Sequence, residues 1–203
     1  VIDALHMVLH QVKENALTES FPKYKGNRLI LVTAHRRESF EQGLVGICEA
    51  LKEIVTLVAD VEVVYPVHPN PNVARKAEAI VAGSRRIHLI PPLDYLSFIK
   101  LMQRSYLILS DSGGVQEEAS ALGKPLLIMR KVTERPEILE VGAAKLVGTD
   151  RERIVQETLL LLGDEERYRK MASAPNPFGD GYARFRIIRA ILDFLRSNAE
   201  PFD

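Results

Sequence analysis

Tyr106-Leu107-Ile108-Leu109-Ser110-Asp111-Ser112-Gly113-Gly114-Val115-Gln116-Glu117-Glu118 is the stretch that decides the fold. An unbroken apolar run, of the kind buried on both faces of a parallel sheet, passes straight into Ser-Gly-Gly and then into residues that favour helix. The two glycines let backbone N–H groups approach an anion, and the helix start adds unpaired donors and a favourable dipole. Ser112 supplies a hydroxyl donor, and Glu118 lies about one turn into the helix, where an acid can accept from ribose hydroxyls. A tight strand-to-helix turn whose acids merely favour the helix N-terminus reads the same way, and stays open as the alternative.

Outward from this stretch the same alternation repeats. Leu29-Ile30-Leu31-Val32, Val61-Glu62-Val63-Val64-Tyr65, Ile87-His88-Leu89-Ile90, Leu126-Leu127-Ile128-Met129 and a short Lys145-Leu146-Val147 read as further strands. Between them Leu44, Ile47, Cys48, Leu51, Ile54, Val55 and Val58 follow helical spacing, with Ser39 and Gln42 as a candidate capping box. Asp94 can cap a helix carrying Tyr95, Phe98, Ile99 and Met102, and Asp150 one carrying residues 154–162. Glu117 to Leu122 should be helical, stopped by Gly123 and Pro125, and Phe185, Ile188, Leu192 and Leu195 line a last helix. The expected class is α/β: a doubly wound, mostly parallel sheet of about six strands with helices on both faces, Rossmann-like. Residues 20–27 and the turn-rich 174–181 break the periodicity without marking a second domain.

Bulk composition excludes several classes. Lys plus Arg and Asp plus Glu each total 27 in 203 residues, so there is no basic surplus for a nucleic acid. No apolar run approaches the roughly 18 residues that span a bilayer, so no membrane partner is expected. One cysteine, Cys48, precludes an intrachain disulfide and makes a cytoplasmic setting the natural expectation. The opening VIDALHMVLH lacks a basic n-region followed by an apolar stretch and a cleavage site, so no signal peptide is expected. Without an initiator Met, the chain is expected to begin inside something longer. No metal site is expected either: the five histidines (His6, His10, His35, His68, His88) are scattered and no paired cysteines exist. A Walker loop and a G-x-G-x-x-G are both absent, which removes the usual support for ATPase and NAD readings.

In open α/β sheets ligands bind beyond the carboxyl ends of the strands, and three more such ends are polar. Thr33-Ala34-His35-Arg36-Arg37-Glu38 follows the first strand; a His beside two Arg can bind phosphate, and His35 can serve as a general acid if it faces a leaving group. Val67-His68-Pro69-Asn70-Pro71-Asn72 follows the second, where His68 and the Asn side chains can donate to a ligand or simply complete a rigid turn. Met129-Arg130-Lys131-Val132-Thr133-Glu134-Arg135-Pro136-Glu137 follows the fifth, and one of its arginines can neutralise phosphate.

Taken together, His35-Arg36-Arg37-Glu38, His68-Pro69-Asn70-Pro71, Asp111-Ser112-Gly113-Gly114-x-Gln116-Glu117-Glu118, Gly123-Lys124-Pro125, Arg130, Thr133-Glu134-Arg135-Pro136-Glu137, Gly148-Thr149 and Asn176-Pro177-Phe178-Gly179-Asp180-Gly181 resemble the non-hydrolysing bacterial UDP-N-acetylglucosamine 2-epimerases. The order and spacing fit from about Val1 to Leu195. That family has the two-domain architecture of the GT-B glycosyltransferases, and this chain resembles the second, C-terminal half. The resemblance implies one Rossmann-like UDP-binding domain over 1–203, with 1–27 an entering helix and linker. Residues 182–196 would form a helix crossing back to an N-terminal domain absent from this sequence.

It further implies that Ser112, Gly113 and Gly114 hold the diphosphate, that Glu118 binds the ribose, and that the Leu93 backbone and the Phe98 ring flank uracil. His35 and Arg135 would contact the phosphates near the sugar. Arg36 and His68 match positions that bind a second, activating substrate molecule in some members. The implied reaction interconverts UDP-GlcNAc and UDP-ManNAc by elimination and readdition of UDP, in cell-surface polysaccharide biosynthesis, with no cofactor. The family's acid–base carboxylates lie in the first domain and nothing here matches them, so this chain alone should bind UDP weakly and catalyse little. Partners would be the nucleotide sugar and the missing domain. Members are commonly dimers through that domain, which leaves a homodimer of this chain open.

Three alternatives remain at this stage: a hydrolysing relative, the second domain of a glycosyltransferase, and a stand-alone nucleotide-sugar-binding module without catalysis. The last is separable by burial. A half of a larger protein should leave the stripe of Ile187, Ile188, Ile191 and Leu195 exposed or paired with another copy, whereas a self-contained module should bury it. The same reasoning applies to Leu5, Val8, Leu9 and Val12 on the first helix.

Overall fold

A computed structural model describes residues 1–11, 26–34 and 43–197. In chain order the elements are α1 (Ile2–Gln11), β1 (Arg28–Thr33), α2 (Leu44–Leu57), β2 (Val61–Pro66), α3 (Pro71–Val81), β3 (Ile87–Ile90), α4 (Tyr95–Arg104) and β4 (Leu107–Ser110). They continue with α5 (Gly113–Ala121), β5 (Leu126–Ile128), α6 (Glu137–Glu140), β6 (Ala144–Leu146), α7 (Arg151–Gly163), α8 (Glu165–Ala172) and α9 (Ala183–Ser197). The strands form one six-stranded sheet in the order β3-β2-β1-β4-β5-β6, with every neighbouring pair parallel. This is the doubly wound α/β arrangement expected from the sequence.

Strand geometry explains why the apolar runs are continuous. Successive side chains point to opposite faces, so Ile30 and Val32 join one core cluster while Leu29 and Leu31 join the other. The first cluster takes Ile47 and Leu51 from α2, Val73 and Ala77 from α3 and Ile154 from α7. The second takes Leu5 from α1, Ile99 and Met102 from α4, Val115 and Ala119 from α5 and Ile138 from α6. Cys48 is buried in the first cluster, where desolvation pushes its thiol up to about 12, so it is packing rather than chemistry.

Side chains set the helix starts. Asp94, Asp150 and Asp164 each accept a bond from a backbone N–H three residues on, opening α4, α7 and α8. Asn70 does the same for α3 by accepting from the Asn72 N–H, with Pro71 at the first helical position. Helices α3 and α8 were not read from the sequence, and α5 begins at Gly113, four residues before the expected Glu117. The candidate cap Ser39–Gln42 lies outside the described residues. On α2, a Cβ at Gly46 would stand 2.5 Å from the Thr149 carbonyl oxygen, so the Gly148-Thr149 turn seats directly on that helix.

The first helix meets the start of the last one. The Asp3 carboxylate of α1 accepts from the Ala183 and Arg184 backbone N–H groups at 3.3 and 2.9 Å, which caps α9 from a distant element. Backbone bonds, the Arg184 amide first, hold Asp3 below the usual carboxylate range. Beyond that cap the two helices differ. Leu5 is fully buried and Val8 and Leu9 pack against the core, while Val12 lies outside the described residues. No residue of α9 is buried, and its large apolar side chains are between 47% (Leu192) and 67% (Phe194) exposed. Among the described residues no helix is long and apolar enough to cross a membrane.

Candidate functional site

The strand order reverses between β1 and β4, and that crevice is where an open parallel sheet receives a ligand. Thr33 and Ser110 end the two strands in register, and their hydroxyls hydrogen-bond at 2.7 Å in a fully buried setting. The Ser110 Oγ also accepts the Ser112 backbone N–H at 3.0 Å. Ser112 is then the N-cap of α5 with an extended backbone and no side-chain cap bond, so its hydroxyl is not spent on its own helix. Gly113 and Gly114 form the first turn of α5, which puts their N–H groups among the unpaired donors at the positive end of the helix. The strand-to-helix turn is therefore built from inside, by a buried hydroxyl pair.

The loop after β5 closes over this turn. A Cβ added at Gly113 would meet the Arg135 guanidinium at 2.7 Å, so the arginine lies directly against the glycine. Its Nε donates to the Glu117 carboxylate at 2.5 Å. One residue earlier on α5, the Gln116 Oε1 accepts from the Thr133 hydroxyl at 2.6 Å, and that hydroxyl accepts the Arg135 backbone N–H at 3.1 Å. Thus Gln116 and Glu117 staple the cationic loop to the helix N-terminus. Arg130 instead pairs with Glu134 within the loop.

Glu118 is 7% exposed and accepts a 2.8 Å hydrogen bond from the Tyr95 hydroxyl of α4. Desolvation raises its carboxyl above the usual range, an effect the Tyr95 bond offsets in part. Desolvation, with the neighbouring carboxylate, raises the Tyr95 phenol as well. Leu93 and Phe98 are half-buried and pack on the same core cluster, flanking Tyr95 in sequence. Tyr95 is the residue that sequence reading missed. It falls in register with Phe98, Ile99 and Met102 and reads as core, yet it is 42% exposed.

Of the other expected site residues, His68 is half-buried after β2, and its Nδ1 accepts the Asn70 N–H at 3.2 Å. In the neutral ring that leaves the proton on Nε2, as a donor. His35 and Arg36 lie outside the described residues. Among the described residues no group of three or more His, Cys, Asp or Glu is arranged to hold a metal ion.

Residues 1–192 match the family model described as UDP-N-acetylglucosamine 2-epimerase. The chain is 48% identical over 200 residues to the UDP-N-acetylglucosamine 2-epimerase of Salmonella typhimurium, covering 96% of this chain and 53% of that protein. It is 48% identical over 197 residues to the Escherichia coli K12 enzyme of the same name, covering 94% and 52%. Among solved structures, an S. aureus MnaA–UDP co-structure superposes with a TM-score of 0.89 at 40% identity, covering 96% of this chain and 53% of that one. A Neisseria meningitidis UDP-GlcNAc 2-epimerase bound to UDP-GlcNAc gives 0.87 at 38% identity, covering 95% and 53%. The chain thus spans about half the length of the relatives it matches.

Proposed function

This chain belongs to the UDP-N-acetylglucosamine 2-epimerase family, and on that premise we propose that it is the UDP-binding half of an enzyme interconverting UDP-GlcNAc and UDP-ManNAc. The observation that carries the reading is the Arg135 guanidinium laid against Gly113 at the N-terminus of α5. A cation, a helix dipole and the open N–H groups of a glycine turn converge where a diphosphate would sit.

In this reading Ser112, Gly113 and Gly114 take the diphosphate with Arg135, Glu118 takes the ribose, and Leu93 and Phe98 bracket the uracil. The half-buried apolar setting of Leu93 and Phe98 suits a flat base. His35 joins the phosphates near the sugar, while Arg36 and His68 serve a second, activating substrate molecule. The reaction removes the sugar C2 proton, breaks the C1–oxygen bond to UDP, and forms a C1=C2 double bond. Readdition of UDP at C1 with a proton on the other face of C2 completes the inversion. The diphosphate gains charge as it leaves, so the cradle stabilises the departing group more than the bound substrate.

In this reading the proton-transferring carboxylates come from the half of the relatives' length that this chain does not span. The exposed apolar stripe of α9, from Phe185 to Leu195, is the surface on which that half would seat. Calorimetric titration of the chain with UDP, then UDP-GlcNAc, tests the reading, with Ser112→Ala and Glu118→Ala as controls. Binding of UDP that both variants lose, and that the added sugar improves little, is the expected result. Unchanged binding in both variants would reject the cradle.

A further inference from the structure

Glu118 has two carboxylate oxygens, and the Tyr95 hydroxyl already donates to one of them at 2.8 Å. A phenol that has given its proton to a carboxylate keeps only lone pairs to offer a ligand. The pair therefore presents acceptors alone: the second oxygen of Glu118 and the oxygen of Tyr95. A ribose carries two adjacent hydroxyls, and both can act as donors.

We propose that Tyr95 is the second half of a ribose-reading pair, holding Glu118 in place and accepting one of the two ribose hydroxyls itself. The inference rests on the diphosphate-cradle reading above and adds to it a residue and a selectivity.

Placement supports the role. Tyr95 is the first residue of α4, fixed by the Asp94 cap, and it stands two residues after Leu93 and three before Phe98. Tyr95 is 42% exposed although its hydroxyl reaches the carboxylate of Glu118, a residue only 7% exposed, so it bridges the open mouth and the buried acid. A tyrosine needed only to satisfy a buried acid could stand wholly inside. The groups acting on the Glu118 carboxyl are Tyr95 from α4, Glu117 on its own helix and the amino group of Val1 ahead of α1. Burial and Glu117 favour the protonated acid, while Tyr95 and the Val1 amine favour the carboxylate. A protonated Glu118 would lose acceptor capacity, so Tyr95 also keeps the acid in its accepting form.

The test is calorimetric titration of the chain and its Tyr95→Phe variant with UDP, 2′-deoxy-UDP and 3′-deoxy-UDP, at pH 7.5 and pH 5.5. Tyr95→Phe keeps the ring and removes the hydroxyl, and thermal unfolding of both proteins checks that the fold is retained. The expected result is a loss of about two- to tenfold in UDP affinity, the size of one neutral hydrogen bond. At least one deoxy nucleotide should lose much less, so the preference for the ribonucleotide narrows. The loss should deepen toward the lower pH, because Glu118 no longer has the phenol that favours its ionised form. Equal losses for all three ligands would mean that Tyr95 is structural only, and unchanged UDP binding would remove it from the site. Failure of the wild-type chain to bind UDP, or binding indifferent to Glu118→Ala, would instead overturn the cradle reading and this inference with it.

Discussion

The Arg135 guanidinium rests on Gly113: a methyl group there would stand 2.7 Å from its Nη1. An arginine end can swing aside at small cost, and alanine favours a helix more than glycine does. Gly113→Ala should therefore leave the unfolding midpoint in urea nearly unchanged, within about 1 kcal/mol. It should still weaken UDP binding by tenfold or more, because it displaces the cation and blocks the close approach of the backbone. Parallel urea melts and calorimetry separate the two effects.

Glu117 holds that arginine by its Nε, which leaves the terminal nitrogens to face an anion. Glu117→Ala should weaken UDP binding, and the effect should nearly vanish when Arg135 is already alanine. A double-mutant cycle on UDP affinity should give a coupling of about 0.5–3 kcal/mol. Uridine, which lacks phosphate, should bind both single variants and the wild type alike.

The Thr33–Ser110 hydroxyl pair is buried, and Ser110 also carries the Ser112 amide. Thr33→Val breaks one bond and should cost about 1–3 kcal/mol in urea unfolding. Ser110→Ala breaks two, so it should cost more and should also loosen the Ser112 turn, lowering UDP affinity. Equal costs for the two variants would show that the Ser112 bond contributes nothing.

Burial lifts the Glu118 carboxyl above its ordinary range. An acid raised on folding gives stability that is complete below the unfolded pKa and lost as pH climbs through the folded one. Glu118→Gln should accordingly be more stable than the wild type at pH 7.5, with the difference closing as pH falls below the usual glutamate range. Urea midpoints of both proteins between pH 4 and pH 8 measure this. The acid proposed to read the ribose is thus held at a cost to the fold.

Apolar residues on α1 and α9 should respond oppositely to polar substitution. Ile187→Ser and Ile191→Ser change exposed side chains and should shift unfolding by no more than about 0.5 kcal/mol. Leu5→Ala empties a fully buried position and should cost about 2–5 kcal/mol. The two serine variants should, in contrast, weaken association with any separately produced N-terminal half.

The four inner strands could be read from sequence because both their faces are buried, as in Leu29-Ile30-Leu31-Val32, while the edge strands β3 and β6 are only partly covered and were legible from their short apolar runs between turn residues. Helices α3 and α8 escaped for a physical reason. α3 buries only Val73, Ala77 and Val81, and α8 buries nothing, so neither has a wide apolar stripe. Helix α5 starts on Gly113 because its first turn is set by Ser110 and Arg135, not by helix propensity. Ser112, Gly113 and Glu118 announced themselves as polar residues after an apolar strand. Tyr95 did not, since an aromatic in helical register looks like core until its hydroxyl is seen on a carboxylate. The role of Gln116 and Glu117 as staples was equally hidden, because their partners Thr133 and Arg135 are remote in sequence.

The sheet order carries a consequence for how the molecule comes into being. β1 pairs with β2 and β2 with β3 over short stretches of chain, but β1 must wait for β4, with Ile30 opposite Leu107 and Thr33 opposite Ser110. A chain growing from its N-terminus can assemble its first three strands while one edge of β1 stays bare, exposed to pairing with any other strand nearby. The joining of β1 to β4 spans the greatest stretch of chain of any pair in the sheet, and such long-range closure is the slow step in forming parallel sheets. That same event brings the hydroxyls of Thr33 and Ser110 together. The Ser112 turn therefore gains its buried Thr33 brace only when the two wings meet, and the candidate anion site is fully braced only in a molecule that has finished folding.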